Sequence, residues 1–420
     1  MHQISRHKSG LLVATAEMPH MASVSLGFWV GVGGRHEPVD LCGISHFIEH
    51  LLFKGTKKRT ARQISQDVEG IGGYLNAFTG EETTCFYSKA RHDRQRELFD
   101  VLTDMFLHSR FDPVEIDKER SVIKEELAMY LDQPQHHVHE LLNETLWPDQ
   151  PLGRSLTGTP ATLDLIERGA LLNYQRGHYV SEGMIVAAAG NLRHDEIMEK
   201  VGRFASRIPA GKRPCFLPAR NGQDKPRLRL QTKPVEQTQM ALGIRACSRH
   251  DERRHALRLL STMLGENMSS RLFQVLREDN GLAYSISSSL CLFDDAGVLT
   301  ISSGLEIDKL TPSLRLIMKE LARFRSRPPA AAELNRARDY LIGQMDMALE
   351  STENQMMWLG EQLLSYGKVI PPAEVRQHLA DVTPRQIQAA ARDFFRTDRL
   401  NLALVSPLDQ AKEIERELTL

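Results

Sequence analysis

The sequence lacks the cysteine pattern of a disulfide-bonded or thiolate-bound fold. Its five cysteines are scattered, odd in number and never arranged as a Cys-x-x-Cys pair. This pattern argues against a disulfide framework and against a thiolate metal site. The pattern therefore indicates reduced, buried thiols in a reducing compartment.

Long hydrophobic runs and an excess of charge of one sign are also missing. The longest apolar stretches, such as 11–16 and 184–189, fall far short of the ~20 residues that a membrane span needs. The first residues show no small-residue cleavage site of a signal peptide. With 53 Lys and Arg against 54 Asp and Glu, the chain carries no electrostatic footprint for nucleic acid or an anionic membrane. We therefore expect a cytoplasmic protein of a bacterium, with no membrane span and no nucleic-acid partner.

What the sequence does have is enough length for two domains and a sign of duplication. Its 420 residues suggest two domains of roughly 200 residues each. A proline- and glycine-rich stretch at 206–226 has no apolar period and predicts an extended linker. Leu26-Gly27 and Leu242-Gly243 fall at matching places in two alternating strands, which indicates an internal repeat of about 216 residues.

We therefore predict an α+β fold of two similar α/β-roll domains, each a mostly antiparallel sheet packed with helices. The predicted domains are residues 1–208 and 226–420, joined by a linker at 209–225. Hydrophobic periodicity predicts the elements of the first half: helices at 43–53, 61–71, 95–108 and 113–131, and a hairpin of strands 73–78 and 83–89. The elements predicted in the second half are a helix at 254–277, strands at 283–291 and 297–304, and helices from 309, 331 and 352.

The segment GISHFIEHLLFKGT carries the candidate chemistry. A helix stacks His46 and His50, four residues apart, on one face, so both imidazoles can reach one zinc ion at ~2.0–2.1 Å. Glu49 shares the edge of that face, where a carboxylate can take a proton from the attacking water without binding the metal. This H-x-x-E-H arrangement occurs in zinc peptidases. The alternative is an amphipathic helix that merely contains two histidines, but burying such residues without a metal or partners would cost several kcal/mol.

Two histidines leave a zinc ion in need of a third protein ligand. The predicted helix at 113–131 offers Glu126 and, two turns earlier on the same face, Glu119. Glu126 can complete a His2Glu site, while Glu119 can accept the outer N–H of a ligating histidine and fix its tautomer. Glu125 is the competing ligand, although its side chain is rotated ~100° from the face of Glu126.

A second group of histidines, His136, His137 and His139, is not predicted to bind a metal. Spacings of one and two residues do not converge on one helix face. The preceding Pro134 suggests a surface turn, so we expect these side chains to be solvated.

The chain resembles the pitrilysin family, also called the insulinase or mitochondrial processing peptidase family, in its short-chain branch. The resemblance covers nearly the whole chain and is carried by GISHFIEHLLFKGTKKRTA, GGYLNAFTGEETTCFY, ERSVIKEEL and SSRLFQVLREDNGLAYSISSS. It implies that Glu126, rather than Glu125, is the third ligand and that Glu119 supports the site. It also implies that Arg277 and Tyr284, in the second half, grip the carbonyl oxygen of the substrate.

The resemblance further implies a zinc-dependent endopeptidase with one Zn²⁺ per chain. The first domain would bind the metal, and the second would lack metal ligands but carry Arg277 and Tyr284. Two such chains would close around a chamber, with the arginine–tyrosine pair supplied by the opposing chain. Because this sequence has both halves of the machinery, we expect a homodimer with composite sites.

Peptides and unfolded polypeptides are the expected substrates. If the predicted strand that carries Asn76 and Ala77 is an exposed edge, an extended peptide can add to it through main-chain hydrogen bonds. Asn76 and Ala77 would then face the peptide. Two alternatives keep the fold without the activity: a non-catalytic partner subunit of a processing-peptidase-like complex, and a metal-binding protein that does not hydrolyse peptides. The complete ligand set argues against the first, and Glu49 would have no purpose in the second. A general peptide scavenger and a dedicated processing protease both remain open.

Overall fold

The computed structural model describes residues 2–420, which divide into two compact units. Both units are discontinuous in sequence. The first contains the chain up to Ala128, then Arg154–Leu217 and Asp346–Val369. The second contains Met129–Gly153, Pro218–Met345 and Ile370–Leu420. Each unit therefore takes one segment from the other half of the sequence.

The first unit is built on a six-stranded, mostly antiparallel sheet. Its strands are β1 (His2–Arg6), β2 (Leu12–Glu17), β3 (Ser23–Val30), β4 (Tyr74–Thr79), β5 (Thr84–Arg91) and β6 (Met184–Gly190). They lie in the order β1-β2-β6-β3-β5-β4, and β2 and β6 form the one parallel pair of this sheet. Strand β4 therefore lies at an edge.

The second unit repeats this plan with five strands. They are β7 (Arg227–Thr232), β8 (Thr238–Ala246), β9 (Ala283–Leu292), β10 (Gly297–Leu305) and β11 (Leu400–Ser406). Their order is β7-β11-β8-β10-β9, again with one parallel pair, β7 and β11. The predicted fold of two similar α+β domains is confirmed, and β3 and β8 hold equivalent central positions.

The helices lie between and after these strands, in runs of one to five along the chain. They are α1 (Ile44–Leu52), α2 (Ala61–Glu69), α3 (Gln95–His108), α4 (Pro113–Asp132), α5 (Pro134–Leu146), α6 (Pro160–Leu165), α7 (Arg168–His178), α8 (His194–Ala205), α9 (Arg254–Gly265), α10 (Leu310–Ser326), α11 (Ala331–Ala348), α12 (Thr352–Tyr366), α13 (Pro372–Asp381), α14 (Pro384–Phe394) and α15 (Lys412–Glu415). A π-helical segment, Phe273–Asp279, precedes β9. Within residues 2–420, each helix is too short or too polar to cross a membrane.

Two equivalent glycines make room for the exchanged helices. In the first unit α12 packs on β2, β3 and β6, and a Cβ at Gly27 would lie 2.3 Å from the sulfur of Met356. In the second unit α5 packs on β8 and β11, and a Cβ at Gly243 would lie 3.0 Å from Leu142. A side chain at either glycine would displace the side chains through which the covering helix packs on its sheet.

Two local predictions were wrong. The helix predicted over 254–277 ends at Gly265, because the side chain of Asn267 accepts hydrogen bonds from the backbone and hydroxyl of Ser269 and such local bonds compete with a helix. The turn predicted around His136 is the first part of α5, which begins with Pro134. Proline is well suited to the first helical position, since the N–H it lacks has no partner there. The linker at 209–225, with domain boundaries at 208 and 226, remains a prediction. The two compact units do not divide the chain into two continuous halves.

Candidate metal centre

The start of α1 is fixed by a glycine and a buried carboxylate. Gly43 has a φ of +95°, and a Cβ there would lie 2.7 Å from the carbonyl oxygen of Thr157, so only glycine fits this position. Glu37 accepts hydrogen bonds from the N–H groups of Gly43 at 2.7 Å and Ser45 at 2.8 Å. Burial raises the pKa of Glu37 to about 7, against the lowering effect of these donors. The helix that carries the histidines is thus anchored before its first turn.

One side of α1 packs into the core and the other carries the polar residues. Ile44, Phe47, Ile48 and Leu51 are buried, and each buried side chain of this size contributes ~1.5–3 kcal/mol. The remaining stripe, His46, Glu49 and His50, is only partly buried. This division fixes the rotation of the helix and directs the stripe toward α4.

The structure brings His46, His50 and Glu126 together. Their candidate ligand atoms lie within 4.8 Å of one another. Oε2 of Glu126 is 3.8 Å from Nε2 of His46 and 3.6 Å from Nε2 of His50. Ligands at ~2.0–2.1 Å around a tetrahedral zinc ion are separated by ~3.3–3.4 Å, so small side-chain adjustments suffice for binding. Glu125, the alternative ligand, is exposed.

A supporting network lies behind His50. Oε2 of Glu119 is 3.1 Å from Nδ1 of His50, and Oε1 is 2.8 Å from Nζ of Lys54. Burial acts to raise the pKa of Glu119, but the hydrogen bonds with His50 and Lys54 outweigh it and lower the pKa. An ionised Glu119 holds the hydrogen on Nδ1 of His50 and leaves Nε2 free for a metal.

The electrostatics of the stripe suit a metal-assisted reaction. Burial lowers the pKa of His46 to about 4, with a further contribution from His50, so its imidazole is neutral near pH 7 and offers a lone pair. Its Nδ1 is buried and has no hydrogen-bond partner within the described part of the chain. Burial raises the pKa of Glu49, which would make its carboxylate a stronger base in proton transfer, a role that remains a prediction.

The fit of a zinc ion rests on the donor set itself. Two imidazole nitrogens and one carboxylate oxygen face a common point, and one histidine is oriented by a second carboxylate. Three protein ligands leave one position of a tetrahedral ion open, which is the arrangement of catalytic zinc sites. The residues therefore fit zinc.

Arg277 and Tyr284 also meet, within the second unit. Arg277 lies in the π-helical segment, and its guanidinium carbon is 5.0 Å from the centroid of the Tyr284 ring and 4.8 Å from that of Phe273. The Tyr284 side chain is 81% exposed, so it is available to a ligand. π-Helical turns are frequent at functional sites. The role of the pair toward substrate remains a prediction.

Asn76 and Ala77 lie in the middle of the edge strand β4. Oδ1 of Asn76 accepts a hydrogen bond from the N–H of Ala77 at 2.8 Å. The side chain thus occupies a main-chain donor that an added strand would use. Their role in binding a peptide remains a prediction.

Sequence reasoning missed Lys54, Thr79 and the capping Glu37. Lys54 lies two residues beyond the end of α1, and its partner Glu119 is on another helix, so no local spacing indicates this contact. Thr79 Oγ1 donates to Oε2 of Glu49 at 2.5 Å, a contact across 30 residues that no local pattern indicates. Glu37 accepts from Gly43 and Ser45 across a short loop, whose path no helical or strand periodicity indicates.

The fold and the cluster together define a class: a two-domain α+β protein with three clustered donors that could hold a metal ion, of the kinds that bind catalytic zinc. The family model described as insulinase (peptidase family M16) matches residues 12–160, and that described as peptidase M16 inactive domain matches residues 166–341. The chain belongs to the insulinase family, peptidase family M16, as its sequence motifs had indicated.

Relatives with similar sequences extend over almost the whole chain. An uncharacterized zinc protease of Bacillus subtilis (strain 168), YmxG, is 35% identical over 404 residues, which are 95% of this chain and 97% of the relative. An uncharacterized zinc protease of Mycobacterium leprae is 36% identical over 414 residues, covering 97% and 92%.

Solved structures share the fold at lower identity. A protease from Helicobacter pylori superposes with a TM-score of 0.91 at 20% identity, over 97% of this chain and 99% of that one. A chain of complex III2 from Candida albicans superposes with a TM-score of 0.85 at 15% identity, over 100% of both chains. At these identities the likeness concerns the fold alone.

Proposed function

We propose that this protein is a zinc-dependent endopeptidase that hydrolyses peptide bonds in peptides or unstructured protein segments. The observation that carries the proposal is the convergence of His46, His50 and Glu126 within 4.8 Å, with the Glu49 carboxylate on the same helix. Membership of a peptidase family and relatives named zinc proteases support it.

Nε2 of His46, Nε2 of His50 and a carboxylate oxygen of Glu126 would hold one zinc ion per chain. Bound zinc supplies Lewis acidity, which polarises a carbonyl oxygen and lowers the pKa of a water molecule toward ~7. Glu119 keeps the imidazole of His50 in the orientation and tautomer that binding requires.

Glu49 acts as general base and then as general acid. Its carboxylate takes the proton of the attacking water and delivers it to the leaving amine. Burial raises its pKa, which makes the carboxylate a stronger base for the first transfer. Arg277 and Tyr284 of an opposing chain would donate to the oxyanion that forms at the scissile carbonyl.

Strand β4 would bind the substrate backbone. It is the last strand of its sheet, so within residues 2–420 one side of its main chain has no neighbouring strand. An extended peptide can add there, with Asn76 and Ala77 facing it. Only flexible segments can pair in this way, which is why folded proteins are not proposed as substrates.

A homodimer with a closed chamber and composite sites, in the cytoplasm of a bacterium, completes the proposal. Its support is the presence of both the ligand set and the arginine–tyrosine pair in one chain. The alternative, a non-catalytic partner subunit, would need neither a complete ligand set nor a base.

The decisive experiment compares the wild type with Glu49→Gln on a quenched fluorescent peptide. The variant should keep one zinc per chain and lose ~10²–10⁴-fold in kcat, because proton transfer is removed while the ligands remain. Glu125→Gln, at an exposed position beside Glu126, is the matched control and should cleave like the wild type. Chelation should abolish cleavage and added zinc should restore it. Full activity in Glu49→Gln, or cleavage that survives chelation, would refute the proposal.

A further inference from the structure

The general base is held by a residue from outside its own helix. Thr79, the last residue of β4, donates its hydroxyl to Oε2 of Glu49 at 2.5 Å. Within residues 2–420, the side chain of Glu49 makes this one hydrogen bond. Hydroxyl–carboxylate bonds of ~2.5–2.7 Å are charge-assisted and strong. One carboxylate oxygen is thereby occupied, which leaves the other for proton transfer.

Thr79 is itself held in place by the turn that follows it. The N–H of Gly34 donates to the carbonyl oxygen of Gly80 at 3.1 Å, and the N–H of Arg35 donates to that of Glu81 at 2.8 Å. The end of β4 is therefore fixed to the segment after β3. A hydroxyl on such a rigid element can orient a longer and more flexible side chain.

The other end of β4 is also tied down. The hydroxyl of Tyr74, the first residue of the strand, donates to Glu353 at the start of α12. Side-chain hydrogen bonds thus anchor both ends of β4, one to a covering helix and one to the base. Asn76 and Ala77 lie between these anchors.

We propose that Thr79 is a positioning residue for Glu49: its hydroxyl selects the orientation in which the carboxylate can take the proton of the attacking water. The inference rests on the proposed function, since it concerns the base of that reaction. It adds a physical link between two parts of the site, because the strand that would bind the peptide also holds the group that activates the water. A base misplaced by a fraction of an ångström loses much of its efficiency.

The test removes the hydroxyl and keeps the shape. Thr79→Val is isosteric and retains the β-branched side chain that strands favour. Its kcat should fall ~10- to 100-fold, as expected when a hydrogen bond to a charged catalytic group is lost, while KM stays within about threefold. Thr79→Ser restores the hydroxyl and should recover kcat to within about fivefold of the wild type. Zinc content and Tm are measured for every variant.

Two further variants serve as the negative control and as the reference for full loss of the base. Thr83→Val makes the same chemical change in the same hairpin, at a side chain without a hydrogen bond in the described residues, and should match the wild type. Glu49→Gln sets the floor of activity without a base. If the valine variant loses zinc or unfolds, Thr79→Ala takes its place with the same expected split between kcat and KM.

The outcomes separate the two proposals. Wild-type kcat in Thr79→Val alongside an inactive Glu49→Gln would overturn the role of Thr79 and leave the peptidase intact. A loss confined to KM, or a serine variant as slow as the valine variant, would also overturn it, because the side chain would then act in peptide binding or strand packing. A wild-type protein that cleaves no peptide with zinc bound would instead overturn the proposed function.

Discussion

Replacing Glu119 by alanine should weaken zinc binding without changing any of the three proposed ligands. Glu119 is 3% exposed and lies 3.1 Å from Nδ1 of His50, so its loss frees that imidazole to rotate and to change tautomer. Removing such a partner typically lowers metal affinity 10- to 100-fold, which corresponds to ~1.4–2.7 kcal/mol. The ammonium of Lys54, 2.8 Å from Glu119, would also lose its counter-charge near a divalent cation. We therefore expect the upper part of this range.

A competition titration against a chromophoric chelator measures the effect directly. Glu125→Ala is the control, because it removes an exposed carboxylate from the same helix. Glu119→Gln should lie between the two, since an amide oxygen can still accept from His50 but cannot neutralise Lys54. A zinc Kd in Glu119→Ala equal to that of the control would refute the idea that Glu119 orients the ligand.

Two predictions concern the supports of the site. Arg35→Ala should lower the free energy of unfolding in urea by ~3–5 kcal/mol, because it removes one partner of a buried ion pair. Arg35 is 2% exposed and its guanidinium lies 2.6 Å from the carboxylate of Glu82. A loss below ~1 kcal/mol, the value of a surface ion pair, would contradict this prediction. Glu37→Gln should change the pH dependence of stability. Burial raises the pKa of Glu37 from 4.5 to about 7 in the folded protein. The contribution of Glu37 to stability is therefore fully present below the pKa of the unfolded state, and it is lost as the pH rises through the pKa of the folded state. The stability of the wild type relative to Glu37→Gln should therefore fall between about pH 4.5 and 7, and parallel pH profiles would contradict the shift.

Features that depend on local periodicity were predictable from the sequence. Helix α3 was predicted at 95–108 and spans Gln95–His108. The hairpin strands lie within two residues of their predicted bounds. The histidine pair and Glu49 share one face because helical geometry alone requires it. The same helical periodicity predicts both the apolar stripe of α1 and the polar stripe beside it.

Features that depend on long-range contacts were not predictable. Glu126 could be preferred to Glu125 only through family resemblance, since both lie on a helix whose rotation is set by packing. The contact of Thr79 with Glu49 joins a strand end to a helix, and no spacing encodes it. The exchange of α5 and α12 was not predictable, because each helix has an ordinary apolar face. Such a face does not indicate which sheet the helix will cover.

That exchange has a consequence for synthesis on the ribosome. The first sheet is complete in its strands once Gly190 has been made, but the helix over one of its faces ends at Tyr366. Until most of the chain has emerged, Trp29, Ile185 and their apolar neighbours lack that cover. The nascent first domain therefore exposes apolar surface that favours aggregation, and a gene cut at the predicted linker would leave it in that state permanently.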